Sequence, residues 1–386
     1  MLRIGIIAGE TSGDHLGAGL IRAILERVPD AEFEGVAGPE MAAAGCKQLA
    51  RIEDLSVMGI TEVVTHLPRL LRLRRRLRRH FLSRRPDIFI GIDAPDFNLG
   101  IETRLRKAGI RIVHYVSPSI WAWRPRRVVT VGKAADLVLC LLPFEPPLYE
   151  KHGFRAVFVG HPLADSAPRT PNRSALRKSL HLPGEGRLVA LLPGSRQTEV
   201  ERLGPVFLET AQWLANEVPE LKFVIPAATP ALGRLVKNQL RMLKPDLPVT
   251  VVDGHARDIL GASDAALIAS GTASLEAMLW RCPMVVAYRV AAGSYALVKG
   301  LGLLRIPRVA LPNLLAGREV VPEFLQYRAL PHDMGMAVFK LLQDKSARAG
   351  QLEDFDALSR GLQRGANVRA AEAVLTLLRG QPVAAE

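Results

Sequence analysis

Residues 3–20 read RIGIIAGETSGDHLGAGL. An apolar run, residues 4–8, stops at a glycine-rich polar turn, and an amphipathic pattern follows over 14–28. A short buried strand handing over to a helix through glycine is the start of a βα unit. The pattern recurs down the chain. Further strands are predicted at 33–36, 88–92, 111–116, 137–141 and 157–159, with helices at 67–82 and 98–108. After a polar, proline-containing stretch at 167–174 the series restarts. Strands are predicted there at 188–192, 223–225, 249–252, 265–268 and 284–287, with helices at 198–216, 229–242 and 272–281. Apolar strands alternating with helices mean parallel sheets covered on both faces. Two such series predict an α/β protein of two doubly wound, Rossmann-like domains facing a cleft. Their expected bounds are 1–166 and 167–350. Residues 351–386 are expected to be a helical segment whose packing partner the sequence leaves open.

Composition narrows the class. Of 386 residues, 48% are hydrophobic and 23% charged, enough for packed cores and against disorder. The net charge is +13, but nine arginines and no acid fall within residues 63–86. Subtracting those nine leaves +4 for the rest of the chain, so the charge is one concentrated segment. That excludes a histone-like or ribosomal-type protein. Three widely spaced cysteines give neither a disulfide framework nor zinc spacing, and no HExxH occurs among the nine histidines. No metal or cofactor is expected. The first strand starts too soon for a signal-peptide core, and no apolar run reaches the ~20 residues of a membrane span. The expected location is the cytoplasm.

Ligands in such sheets bind beyond the carboxyl ends of strands, so residues just after strands carry the functional reading. Backbone N–H groups in the turn at 9–13 can hold an anion or a polar sugar, with Glu10 and Ser12 as substrate-binding candidates. The turn is not a dinucleotide fingerprint, because Arg22 stands where the third glycine after Gly17 and Gly19 is needed. It is neither a P-loop nor a nucleophile elbow. A purely structural turn explains it equally well. In GIDAPDFN (91–98), Asp93 follows the strand and can take a proton from a substrate hydroxyl. Asp96 is its competitor, or a helix cap. In VSPSIWAWRPRR (116–127), Trp121 and Trp123 suit sugar faces or acyl chains, and Arg124, Arg126 and Arg127 suit phosphate.

The second half offers phosphate-friendly turns. In LLPGSR (191–196), Gly194 lets backbone approach and Arg196 can pair a diphosphate. In ASGTASLEA (269–277), Gly271 and Thr272 open a helix whose N–H groups suit a phosphate, and Glu276 can accept ribose hydroxyls. In LPNLLAGRE (311–319), Asn313 is a candidate base or phosphate contact. Either glycine turn alone is weak evidence. Two turns and an acid in one domain suggest a nucleoside diphosphate.

The basic segment reads as a helix over 67–82. Residues 67, 70, 71, 73, 77, 81 and 82 form an apolar arc, with Arg69, Arg72, Arg75, Arg76 and Arg79 opposite. Arg74 and Arg78 intrude on that arc. The face is either solvated or a contact for an anionic membrane.

These segments, taken in order, resemble the lipid-A-disaccharide synthase family. The carriers are AGETSGDHLGAGLIRA, GVAGPEM, DLSVMGITEV, GIDAPDFN, HYVSPSIWAWR, LLPFE, GHPLAD, LLPGSR, ASGTASLEAML, CPMVVAYR and LPNLLAGRE. The resemblance implies the two-domain GT-B glycosyltransferase architecture. It implies transfer of 2,3-diacylglucosamine from UDP-2,3-diacylglucosamine to the 6-hydroxyl of 2,3-diacylglucosamine 1-phosphate (lipid X), with inversion. On matching positions it implies Asp93 as general base, and Arg196, Glu276 and Asn313 as contacts to donor UDP. Such lipid partners give the 67–82 helix a reason to dock on the anionic inner leaflet, making the protein peripheral to the inner membrane. The nearest rivals are another UDP-sugar GT-B enzyme, such as an N-acetylglucosaminyltransferase or a UDP-GlcNAc 2-epimerase. A basic RNA-binding protein is further off. It would leave the diphosphate-type turns without a use, no aromatic RNA platform is evident, and no nucleic-acid partner is expected. The sequence gives no oligomeric state.

Overall fold

A computed structural model describes residues 1–55, 60–118, 127–289 and 308–381, with backbone alone for 60–66. The strands are β1 (Arg3–Ala8), β2 (Glu32–Ala37), β3 (Cys46–Arg51), β4 (Ile88–Ile92), β5 (Arg111–Tyr115), β6 (Leu137–Cys140) and β7 (Ala156–Phe158). They continue as β8 (Leu188–Leu192), β9 (Lys222–Ala227), β10 (Val249–Asp253), β11 (Ala265–Ala269), β12 (Met284–Tyr288) and β13 (Glu323–Leu325). Among the described residues they form two sheets, β3-β2-β1-β4-β5-β6-β7 and β10-β9-β8-β11-β12-β13. Their pairings are parallel. The chain divides into two units, Met1–Asp165 with the segment from Leu362 onward, and Ser166–Gly361.

Central strands β1, β4, β8 and β11 are apolar runs buried on both faces, as parallel sheets require. Two strands escape the sequence reading, β3 and β13. Both lie at sheet edges. Half-exposed, they carry polar residues such as Lys47, Gln48 and Glu323, so no apolar run marks them.

The C-terminal segment is two helices, Lys345–Leu362 and Ala366–Leu378, parted at Gly365, whose φ is +67°. The sheet of the second unit thus keeps company with residues beyond 350, up to Gly361. The last helix belongs to the first unit instead. Its Ala370, Ala371, Val374 and Leu377 share a core with Leu20, Ile21 and Ile24 of the helix Thr11–Leu25. Asp165 accepts the N–H groups of Gly365 (3.0 Å) and Ala366 (2.6 Å) and so starts that helix.

The arginine segment is a helix over Ile60–Arg84 with Pro68 inside it. The expected apolar arc is corrected by the packing. Leu73, Leu77 and Phe81 are buried at a four-residue spacing, whereas Leu67, Leu71 and Leu82 are exposed. Phe81 fills the space left by Gly5 of β1, where a Cβ would lie 2.8 Å from its ring, and stacks edge-on to Phe89 at 5.1 Å. Among its described side chains only a narrow apolar stripe reaches the sheet, so the outer leucines stay beside the arginines. Arg69 pairs with Asp54, and Arg76 donates to the Leu49 carbonyl (3.0 Å). No helix among the described residues is long and apolar enough to cross a membrane.

Asp14, in the first turn of the helix Thr11–Leu25, anchors the next βα unit. It is 1% exposed, and its carboxylate accepts the N–H groups of Gly38 (2.9 Å), Glu40 (2.9 Å) and Met41 (3.0 Å). Asp14→Ala would leave those donors unanswered and should lower unfolding free energy by about 3 kcal/mol. Urea denaturation measures this. A loss under about 1 kcal/mol would mean water replaces the carboxylate.

Candidate active site

The ligand crevice of an open parallel sheet lies where neighbouring strands send their connections in opposite directions. In the first sheet those neighbours are β1 and β4, in the second β8 and β11. The turns at 9–12, 93–96, 194–196 and 270–272 follow these four strands. A recess of about 680 Å³ bordered by Arg106, Arg111, Lys133 and Arg155 lies instead at the amino ends of β5, β6 and β7. It is away from these turns.

In the first unit β4 ends at Ile92, and Asp93 and Ala94 both adopt left-handed backbone, with φ of +50° and +42°. Neither is glycine, so each carries a strain of about 1–2 kcal/mol. Several bonds hold the turn. The Asp93 N–H donates to the Tyr115 carbonyl (2.9 Å), and Asn98 Nδ2 donates to the Asp93 carbonyl (2.8 Å). Pro95 then opens the helix Pro95–Lys107. Gly9 lies against the turn, where a Cβ would fall 2.1 Å from Ala94 Cβ. The turns after β1 and β4 therefore touch. Glu10 and Ser12 are exposed there, at the start of the helix Thr11–Leu25, which has no side-chain cap. Its first N–H groups remain available to an anion.

The part-buried Asp93 carboxylate accepts no hydrogen bond from the described residues. Asp96 projects into solvent and pairs with Arg127, so its charge is already answered. Trp121, Trp123, Arg124 and Arg126 lie outside the described residues.

Behind Asp93 sits a polar cluster that the sequence reading passed over. Glu102, on the helix Pro95–Lys107, occupies the room left by Gly91 of β4, where a Cβ would lie 1.9 Å from Oε1. The same oxygen is 2.8 Å from His114 Nδ1 on β5, and both side chains are wholly buried. Burial works against the His114 imidazolium. The Glu102 charge and hydrogen bond, with the Asp93 carboxylate, outweigh it and raise its pKa above the ordinary histidine value.

The second unit corrects two expectations and narrows a third. Gly194 has a φ of +135°, which glycine permits, but its open side is filled by Glu199, 2.5 Å from the site of a Cβ. Glu199 accepts the N–H groups of Ser195 (3.1 Å) and Arg196 (3.3 Å), capping the helix Gln197–Glu217. The backbone there is engaged, while the Arg196 side chain is largely exposed and bound only loosely to Glu199, at 3.3 Å. Glu276 is not a free acid either, since Arg257 donates to its Oε1 at 2.9 Å. Asn313 is fully buried. Its amide donates to Val321 O (2.8 Å) and Glu323 Oε1 (2.7 Å), and its oxygen accepts from Val320 (2.6 Å) and Val321 (2.9 Å). It shapes the helix Leu311–Ala316 rather than reaching a ligand.

The turn after β11 is open. Gly271 has a φ of +149°, nothing lies within 4 Å of a Cβ there, and the helix Thr272–Leu279 has no side-chain cap. Ser270 and Ser274, unnoticed in the motif, fasten this turn to the next loop. Ser270 Oγ donates to Val309 O (3.0 Å), and Ser274 Oγ accepts the Leu311 N–H (3.2 Å). Glu323 completes the brace through Val309 and Ala310 N–H. The four-residue spacing of the serines was a readable signal. Glu323, on an edge strand, gave none. Among the described residues no cluster of three His, Cys, Asp or Glu side chains could hold a metal ion.

Two doubly wound parallel sheets with exposed helix starts at their switch points define the fold class of the GT-B glycosyltransferases and related epimerases. Solved structures agree over the whole chain. A Listeria monocytogenes protein assigned as a UDP-N-acetylglucosamine 2-epimerase superposes with a TM-score of 0.70 at 13% identity, covering 100% of this chain and 98% of that one. The kitacinnamycin glycotransferase gives 0.61 at 19%, covering 98% and 99%. The family follows from sequence. The lipid-A-disaccharide synthetase profile matches residues 4–376. Lipid-A-disaccharide synthases from Pseudomonas aeruginosa (52% identical over 377 residues) and Serratia proteamaculans (47% over 378) each align over 98% of both chains. This chain belongs to the lipid-A-disaccharide synthase family and is a glycosyltransferase of lipid A biosynthesis.

Because Gly9 and Ala94 touch, Gly9→Ala should displace the Asp93 turn. Turnover should fall on the order of tenfold to a hundredfold, as for an ångström-scale misplacement, with the melting temperature changed by only a few degrees. Wild-type turnover in a folded Gly9→Ala protein would show that the β1 turn does not hold the β4 turn.

Proposed function

We propose that this chain transfers 2,3-diacylglucosamine from UDP-2,3-diacylglucosamine to the 6-hydroxyl of lipid X. The products are the β-1′,6-linked tetraacyl disaccharide 1-phosphate and UDP. The observation that carries the reading is Asp93, held at the end of β4 in a strained turn with its carboxylate unpaired among the described residues. Asp93 takes the proton from the acceptor 6-hydroxyl as that oxygen attacks the anomeric carbon opposite UDP. The C–O bond to the diphosphate breaks, and configuration inverts. Arg196 and the open helix start at Gly271 and Thr272 answer the charge developing on the leaving diphosphate. Glu276 offers its second oxygen to the ribose. A UDP-GlcNAc 2-epimerase from Neisseria meningitidis solved with UDP-GlcNAc shares this fold at a TM-score of 0.62 and 11% identity, which supports a UDP-sugar donor. Arg127, beside Asp96 on the Asp93 turn, with Arg124 or Arg126, is assigned to the acceptor 1-phosphate.

Incubating the protein with both lipids tests the reading. Wild type should form the disaccharide, and Asp93→Asn should lose on the order of 10²–10⁴ of the rate, the usual range for a general base. Arg196→Ala should raise the donor KM about tenfold or more. No disaccharide from wild type would overturn the function. Epimerised UDP-sugar in its place would favour the epimerase reading.

The same reading places the enzyme at an anionic membrane face. Pulling one ~12-carbon acyl chain into water costs on the order of 10 kcal/mol, at ~0.8 kcal/mol per CH₂. Exposed Leu67, Leu71 and Leu82 on the arginine helix can enter the headgroup boundary. Each nearby cation adds up to about 1 kcal/mol. Arg76 already serves Leu49, so Arg72, Arg75 and Arg79 are the informative positions. Their triple replacement by Glu should abolish salt-sensitive sedimentation with phosphatidylglycerol vesicles. Unchanged sedimentation would move the membrane contact elsewhere.

A further inference from the structure

We propose that the buried Glu102–His114 pair is a positioning device for Asp93, fixing the strained turn that presents the carboxylate. The inference rests on the reading of Asp93 as the base and adds two residues that do not touch substrate. The helix Pro95–Lys107 starts directly after the turn and is fastened at two points one turn of helix apart. Asn98 holds the Asp93 carbonyl at 2.8 Å, and Glu102 holds His114 at 2.8 Å. His114 in turn is fixed by the sheet, because it pairs in register with Gly91 of β4 and Val138 of β6. Gly91 is what lets the Glu102 carboxylate reach β5, since a side chain there would collide with it. The helix cannot slide or rotate without breaking both ties, so the turn between helix and strand has one available conformation.

Stability alone is a poor reason to keep such a pair. Two buried charges lose their hydration, and an apolar pair of the same volume is often as stable. Here the cost is larger still, because Glu102 Oε2, His114 Nε2 and Asn98 Oδ1 are buried with no hydrogen-bond partner among the described residues. The arrangement is explained by what it faces. The charged groups facing His114 are Glu102 from the helix and Asp93 from the end of β4, while β6 supplies the apolar Val138. The Glu102 and Asp93 charges both favour the imidazolium form of His114, so the electrostatics of the pair and of the turn are coupled.

Two measurements test this separately from the base assignment. In a folded Asp93→Asn protein, the His114 ring signals followed by NMR should titrate at lower pH than in wild type, because one of the charges that favour the imidazolium is gone. In Glu102→Gln and His114→Gln, kcat should fall on the order of tenfold to a hundredfold, with UDP affinity unchanged. Asp93→Asn that keeps full activity would remove the base assignment, whereas an unmoved His114 titration would remove the coupling proposed here. Wild-type kcat in the folded Gln variants would also overturn it. Should those variants not fold, the titration in Asp93→Asn, a substitution at a part-exposed site, decides alone.

Discussion

Parallel strands cannot be joined by tight turns, and this constraint organises the molecule. Each connection must cross the sheet, so helices cover both faces and the strands between them become apolar throughout. Such strands offer chemistry only at their ends. Where the order reverses, between β1 and β4 and between β8 and β11, the turns have room, and the polar residues collect there. Asp93, Glu10, Arg196 and Gly271 are near one another along no stretch of sequence, yet each follows a switch-point strand.

The two units use that geometry differently. In the first, the turn after β4 is strained and tightly held, by Asn98, Tyr115, Gly9 and the pair beneath it. A general base, the role proposed for Asp93, needs a fixed position more than it needs flexibility, and the strain at Asp93 and Ala94 fits that role. In the second, the turn after β11 is unstrained for its glycine and open at the helix start, as the proposed diphosphate contact requires. Its rigidity comes from behind, through Ser270, Ser274, Asn313 and Glu323. Glu199 shows the same economy of donors, answering the two N–H groups that the turn after β8 would otherwise leave open.

Charge follows the fold as well. Eight arginines on one helix repel one another, and Ile60–Arg84 tolerates them because, among its described side chains, the stripe Leu73, Leu77 and Phe81 is what it buries. Beside that stripe Arg69, Arg76 and His80 bond to Asp54, Leu49 and Glu34, and exposed positions such as Arg72, Arg75 and Arg79 are open to solvent or to an anionic partner. The exposed leucines among the arginines give that surface the mixed apolar and cationic character of an interfacial helix.

The two parallel-sheet units, nearly all their central strands and the positions of the turns after them were legible in the sequence. Apolar runs ended by glycine and polar residues are local signals, and a strand buried on both faces has little freedom to hide them. Edge strands β3 and β13 lacked that signal because half of each strand faces outward. Other matters were decided only by the tertiary structure. Asn313 resembles a ligand contact in sequence, but four internal hydrogen bonds bury it. Glu102 and His114 lie 12 residues apart in elements of different type. Gly91 can be seen to admit Glu102 only once helix and strand are in register. The last helix returns to the first unit because its small residues fit the helix Thr11–Leu25. Each of these depends on which surfaces meet across long sequence separations, and periodicity along the chain carries no information about that.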